Sequence, residues 1–219
     1  MKTEKELNET QRGYWLKAVA AIEMRNLGYA ISLLQSILRQ EPEFLAGRQL
    51  LRRTEVIKSR ATKKPIFGIS IARLAVLKVR GELKKDPKRA VEMIEKILEE
   101  EPYHRQANMA LKEAAVAAGW PEVGVFALQT LLEKDASDLK VLRELGQLYH
   151  ELGQSDQEVE VYNRITEIDP LDVEALRLGK DAAARTAMKA GGWTNAKSYR
   201  DLIKDKDMTL STGGDVDEG

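Results

Sequence analysis

The residues able to do chemistry are few, and their spacing suits none of the common reactions. His104 and His150 cannot make a zinc site alone, and the absence of cysteine removes thiolate ligands, thiol nucleophiles and disulfides. There is no Walker loop, no Gly-rich phosphate fingerprint, no Gly-x-Ser-x-Gly elbow and no His/Glu metal motif. Glu99 to Glu101 read as helix-end charges on an exposed face, with nothing in the sequence to raise a carboxylate pKa. The chain is therefore expected not to be an enzyme, and to need no cofactor, metal or small-molecule substrate.

Charge is the remaining chemistry. Lys+Arg and Asp+Glu number 35 each, so the whole chain favours neither a polyanion nor a polycation. From Ala46 to Arg89, however, fourteen basic residues face Glu55, Glu82 and Asp86, a local excess of +11. Such a run is either a solvated helix face or a patch for nucleic acid or an anionic membrane surface. Phe67 is its one aromatic residue, so it lacks a platform for stacking bases. Met1 to Thr10 is polar and has no apolar run of the signal-peptide kind. The apolar-rich stretch Ile66 to Leu77 contains Arg73 and is well short of the roughly 20 residues that span a bilayer. These features give the expectation of a soluble, cytoplasmic protein.

The elements that must carry these residues are helices. Leu142, Leu145, Leu148, Tyr149 and Leu152 recur at steps of three and four, the period of one helix face. Gly153 ends that run, and Val159, Tyr162 and Ile165 begin a second one that Pro170 terminates. Residues 139–172 thus form two antiparallel helices. Shifts of 34 residues find further copies at 105–138, with Leu111, Gly119, Leu128 and Leu131, and at 71–104, with Leu74, Leu77, Ala90, Ile94, Ile97 and Pro102. A fourth copy at 11–44 offers Tyr14, Ala18, Ala21, Ala30, Leu34, Ile37 and Pro42.

The residues of 139–172 resemble the tetratricopeptide repeat. Leu142, Leu145, Gly146, Tyr149, Tyr162, Ile165 and Pro170 match its pattern, while Glu158 stands where a small residue is usual. The other copies keep the second-helix positions better than the first: Lys78 and Lys112 replace the small residue, and Gly81 replaces the aromatic. The resemblance implies an all-α, right-handed α-solenoid of antiparallel helix pairs, in which no repeat buries its apolar face alone. Residues 45–70 break the order: Leu45 to about Arg60 reads as the first helix of a repeat whose second helix is reduced to a basic linker around Lys63, Lys64 and Pro65. Residues 173–206 read as a capping helix stopped by Gly191-Gly192 and a short final helix, and 207–219 as a disordered acidic tail.

The same resemblance implies that first helices line a concave, partner-binding face, and so that the chain is a protein-binding adaptor or scaffold. Its register puts Lys140, Arg143, Gln147 and His150 on that face in the clearest repeat. Glu174, Arg177, Asp181 and Arg185 follow in the capping helix, and Gln106, Met109 and Glu113 in the preceding repeat. Arg143, Arg177 and Arg185 suit a carboxylate or acidic peptide through forked hydrogen bonds, unless Asp181 and Glu174 neutralise them. The Lys and Asn clamp by which one subgroup of the family grips acidic C-terminal peptides is missing: Trp15 and Val19, Ala75 and Val79, and Met109 and Glu113 stand there instead. Trp15, Val19 and Ile22 make the N-terminal inner face apolar, for packing or for a hydrophobic peptide. Lone His150 reads as a surface or packing residue, and Trp120 as structural.

Overall fold

Helix follows helix along the chain, with no strand among the described residues. The structure, a computed structural model, describes residues 2–61 and 71–190, and no side chains for 71–75. After a single 3-10 turn come α1 (Glu9–Glu23), α2 (Leu27–Gln40), α3 (Leu45–Ala61), α4 (Ile71–Leu83), α5 (Pro87–Glu100), α6 (Arg105–Ala117), α7 (Pro121–Lys134), α8 (Leu139–Glu151), α9 (Ser155–Ile168) and α10 (Val173–Ala190). The short helix and acidic tail expected beyond Gly191-Gly192 lie outside the described residues, as does the linker around Pro65.

Polar caps set the starts. Asn8 accepts from the Gln11 amide at 2.8 Å while the Gln11 side chain accepts from the Asn8 amide at 3.0 Å, a reciprocal cap on α1. Asp86 accepts from the Arg89 amide ahead of Pro87 on α5, whose missing N–H costs nothing in a first turn. His104 Nδ1 accepts from the Ala107 amide at 3.1 Å, so one of the two histidines is a helix cap. The turns within three hairpins share one device, a left-handed residue after the first helix: Arg25 (φ 59°), Gly119 (φ 83°) and Gly153 (φ 64°). The next amide then reaches back into the helix, as Gln154 does to the Tyr149 carbonyl at 2.9 Å.

The helices pack in sequential antiparallel pairs, and the chain divides into two compact units, Met1–Leu148 and Tyr149–Gly219. In the first unit, α1 pairs with α2, α4 with α5 and α6 with α7, while α5 also packs on α6 and α4 on α6. In α3 the charged and apolar residues share a face, and this helix packs on α2, α5 and α7. Among the described residues two apolar cores of this unit can be traced. One joins Ala18, Ile31, Leu34, Ile37, Phe44 and Leu51 of the N-terminal helices. The other joins Val79, Ile94, Leu98, Leu111, Trp120 and Val123 of α4 to α7. In the second unit α9 packs on α10, where buried Gly179 brings the backbone against Tyr162, whose Cβ is 3.3 Å from a Cβ built on the glycine. Among the described residues no helix is long and apolar enough to cross a membrane.

Trp15 proves to be a packing residue. Its ring meets Phe44 edge-on, with centroids 5.2 Å apart, and Phe44 is fully buried. Gly47, one turn on, makes this possible, because a Cβ there would run into the Phe44 ring. Alanine is the better helix former by about 1 kcal/mol, but overpacking costs about 1–3 kcal/mol, so Gly47→Ala is expected to lower stability by about 1 kcal/mol or more. Urea denaturation followed by circular dichroism measures this, and a variant as stable as the parent would show that the Phe44 ring is free to move aside.

Candidate functional site

The sequence offered Glu158 as an oddity, a carboxylate in place of a small residue. Its side chain is 1% exposed, and both its oxygens accept from Arg185 Nη2 at 2.8 Å. His150 Nδ1 lies 3.2 Å from Oε1 of the same carboxylate. Two of the expected partner-binding residues, His150 and Arg185, are thus turned onto an internal acid, which explains how α9 tolerates a buried charge. Arg177 and Asp181 remain at the surface of α10 and pair with each other at 3.0 Å, one turn apart. Lys189, on the last turn of α10, donates to the Gly153 carbonyl in the turn before α9.

Lys140, Arg143 and Gln147 lie one turn apart on α8, with Lys140 and Gln147 exposed and Arg143 half-buried. Lys112 and Glu144 pair at 2.8 Å in the same unit, so α6 and α8 present a mixed-charge face. Of the earlier repeat's positions, Gln106 and Glu113 are exposed and Met109 is half-buried.

The basic stretch contains a site that composition hid. Arg48 and Arg52, both 2% exposed, turn inward from α3 and grip Glu95 of α5, Arg52 Nη2 reaching Oε2 at 2.8 Å and Arg48 bonding Oε1. Arg48 also donates to the Pro42 carbonyl at 2.9 Å, and Arg52 Nη1 to Glu55 Oε2 at 2.7 Å. Glu55 is fully buried. Two of the fourteen cations are therefore structural rather than available to a polyanion. Among the others, Arg53, Arg60, Lys78, Arg80, Lys84, Lys85, Lys88 and Arg89 are exposed. One signal pointed to this cluster: positions 48, 52 and 55 share a helix face with Leu51, a face that a solvated charge run would not occupy.

Burial pushes the Glu55 carboxyl up to about 8, with Arg52 opposing and Glu95 and Glu99 adding to the rise. Burial also raises Glu95, but Arg52 and then Arg48 outweigh it and hold that carboxyl below its ordinary value. The two guanidiniums thus favour the ionised form of Glu95, while burial favours the protonated form of Glu55.

Two measurements follow from these centres. Since Glu55 binds its proton more tightly folded than unfolded, its contribution to stability is complete below 4.5 and is lost as pH rises through about 8. Relative to Glu55→Gln, which mimics the neutral acid, the parent should lose stability between about pH 5 and 8; a difference constant across that window would mean an ordinary carboxyl. In the second unit, truncating Arg185 strands a buried carboxylate at a cost of about 3 kcal/mol or more, whereas Glu158→Ala leaves an arginine that can rehydrate. Arg185→Ala should therefore melt lower than Glu158→Ala, and the reverse order would mean that the pair adds little.

These helix hairpins with left-handed turns define a helical-repeat protein. Residues 140–170 match the model of the tetratricopeptide repeat, so the chain carries at least one repeat of that type. No curated protein matches the sequence. Among solved structures, the MamA protein is 15% identical, with 97% of this chain and 100% of that one covered and a TM-score of 0.40. A thermophilic TPR protein of Thermus thermophilus is 16% identical over 78% of this chain and 79% of its own, with a TM-score of 0.38. A tetratricopeptide repeat protein of Parabacteroides merdae is 18% identical over 91% and 68%, with a TM-score of 0.41. Likenesses this distant add nothing to what the helix pairing shows. Among the described residues no group of three or more His, Asp or Glu is arranged to hold a metal ion.

Proposed function

We propose that this chain is a non-enzymatic adaptor that binds a partner protein on the faces of its first helices. The observation that carries the reading is the polar face of α8, within the matched repeat, where Lys140 and Gln147 are exposed while Val141, Leu142, Leu145 and Leu148 are buried. Packing consumes the apolar side and leaves a patterned polar one. On α10, Arg177 is 63% exposed, and its pair with Asp181 is of the surface kind worth at most about 1 kcal/mol, which an incoming carboxylate can displace. Lys140, Arg143, Gln147, Arg177 and Asp181 are the proposed contacts, and an acidic peptide is the proposed partner chemistry. His150 and Arg185 complete the proposed set from positions where they already hold Glu158.

The exposed cations of α3 to α5 support a second reading, docking to nucleic acid or an anionic membrane surface. Affinity capture from the native cell's lysate, comparing the intact chain with an equally folded Arg143→Glu, Arg177→Glu variant, separates the two. A protein captured by the first and lost by the second is the expected result. Material retained by both, and removed by nuclease or detergent, would replace the adaptor reading with the electrostatic one.

A further inference from the structure

The turn between α4 and α5 collects more cations than the fold requires. From Leu77 to Arg89 six basic residues, Lys78, Arg80, Lys84, Lys85, Lys88 and Arg89, stand against Glu82 and Asp86, a local excess of +4, and all six are exposed. Lys78, Arg80, Lys84 and Lys85 have no carboxylate partner among the described residues. Arg89 comes no closer than 3.8 Å to Glu82, and Asp86 serves as the cap that accepts from the Arg89 amide.

A cation in the last turn of α4 complements the negative end of the helix dipole, which accounts for Arg80. Lys88 and Arg89 have no such account. They occupy the first turn of α5, at its positive end, where α1, α7, α9 and α10 carry acids. Positive charge there costs the helix and strengthens the field outside it. Leu77 is a second, separate observation. It is 63% exposed, directly before Lys78, and shares a helix face with Arg80 and Gly81, three and four residues on. Val76 and Val79 are the neighbours that enter the core.

We propose that this turn docks on an anionic lipid surface, with its cations among the headgroups and Leu77 entering the acyl boundary. The proposal narrows the electrostatic reading above to one place and one ligand class, and rests on that reading. Three features favour lipid over nucleic acid. α4 and α5 contain no aromatic residue on which a base could stack. Four of the six cations are lysines, point charges suited to a diffuse anionic plane and without the fork by which arginine reads a base edge. An exposed leucine among them finds apolar surroundings in a bilayer and none along a phosphate backbone.

The test is sedimentation of the intact chain with vesicles of phosphatidylcholine, alone and mixed with phosphatidylserine, at rising salt. Binding to the mixed vesicles only, lost as salt screens the surface, is expected. Each cation near such a surface is worth about fivefold in affinity, so Lys84→Gln, Lys85→Gln should weaken binding by about tenfold or more. Leu77→Ala should weaken it by about threefold or more through lost apolar burial. Lys5→Gln, Lys17→Gln removes the same charge at exposed positions elsewhere and should leave binding unchanged. All the substituted side chains are exposed, and circular dichroism confirms that each variant is folded. Equal binding to the two kinds of vesicle, or binding indifferent to Lys84 and Lys85 or to Leu77, would overturn the proposal. Binding of a DNA or RNA duplex without binding of vesicles would also overturn it, while leaving the electrostatic reading in place; binding of neither would remove both.

Discussion

Glu95 sits between two arginines of α3, and that contact ties α5 to α3 within the first unit. On one side lies the core of α1 to α3, on the other the core of α4 to α7. Regular repeat stacks join neighbours through continuous apolar packing, since no hairpin buries its own face. Here α3 touches both cores, Leu51 in the first and Leu45 against the second, and ionic and hydrogen-bonded contacts add to that packing: Glu95 to Arg48 and Arg52, Glu99 to Lys58 and Gln35, and Trp120 Nε1 to Glu43 at 3.3 Å. A buried ion pair is a weak source of net stability, because desolvation consumes most of its Coulomb energy. Its geometry is nevertheless demanding, which makes such a centre better at fixing one arrangement of two cores than at holding them tightly.

The second unit uses the same chemistry at a smaller scale. Glu158 lies where the repeat usually keeps a small side chain, so a carboxylate there has little water and must find partners within the protein. Arg185 and His150 supply them from α10 and from the end of α8. In both units the acid stands on a second helix and its cations on other helices. Each centre therefore ties together elements that backbone hydrogen bonding leaves independent.

How much of this was readable follows from the range of each interaction. Helix stops are local, so Gly119, Gly153, Pro42, Pro102 and Pro170 announced the hairpins, and the 3.6-residue period announced which faces are buried. Arg25 did not announce its turn, because it adopts there the left-handed backbone for which glycine is the usual signal. The ionic centres are non-local: Arg52 and Glu95 are 43 residues apart, and nothing in either helix alone names the other. Counting charge along the chain consequently put Arg48 and Arg52 on a surface that they leave. For the same reason His150 and Arg185 were legible as positions on first helices, but not as partners of one buried acid.

Repeat proteins are often treated as strings of interchangeable modules, each fitted to a consensus neighbour. The carboxylate of Glu95 makes this chain a poor subject for such treatment. Its helix is keyed to two guanidiniums on one particular helix, and a consensus hairpin placed on either side would leave a charge without its counterpart. Recombination among repeats would thus be punished at that joint, and the order of the hairpins is written into the chain by charge as well as by shape.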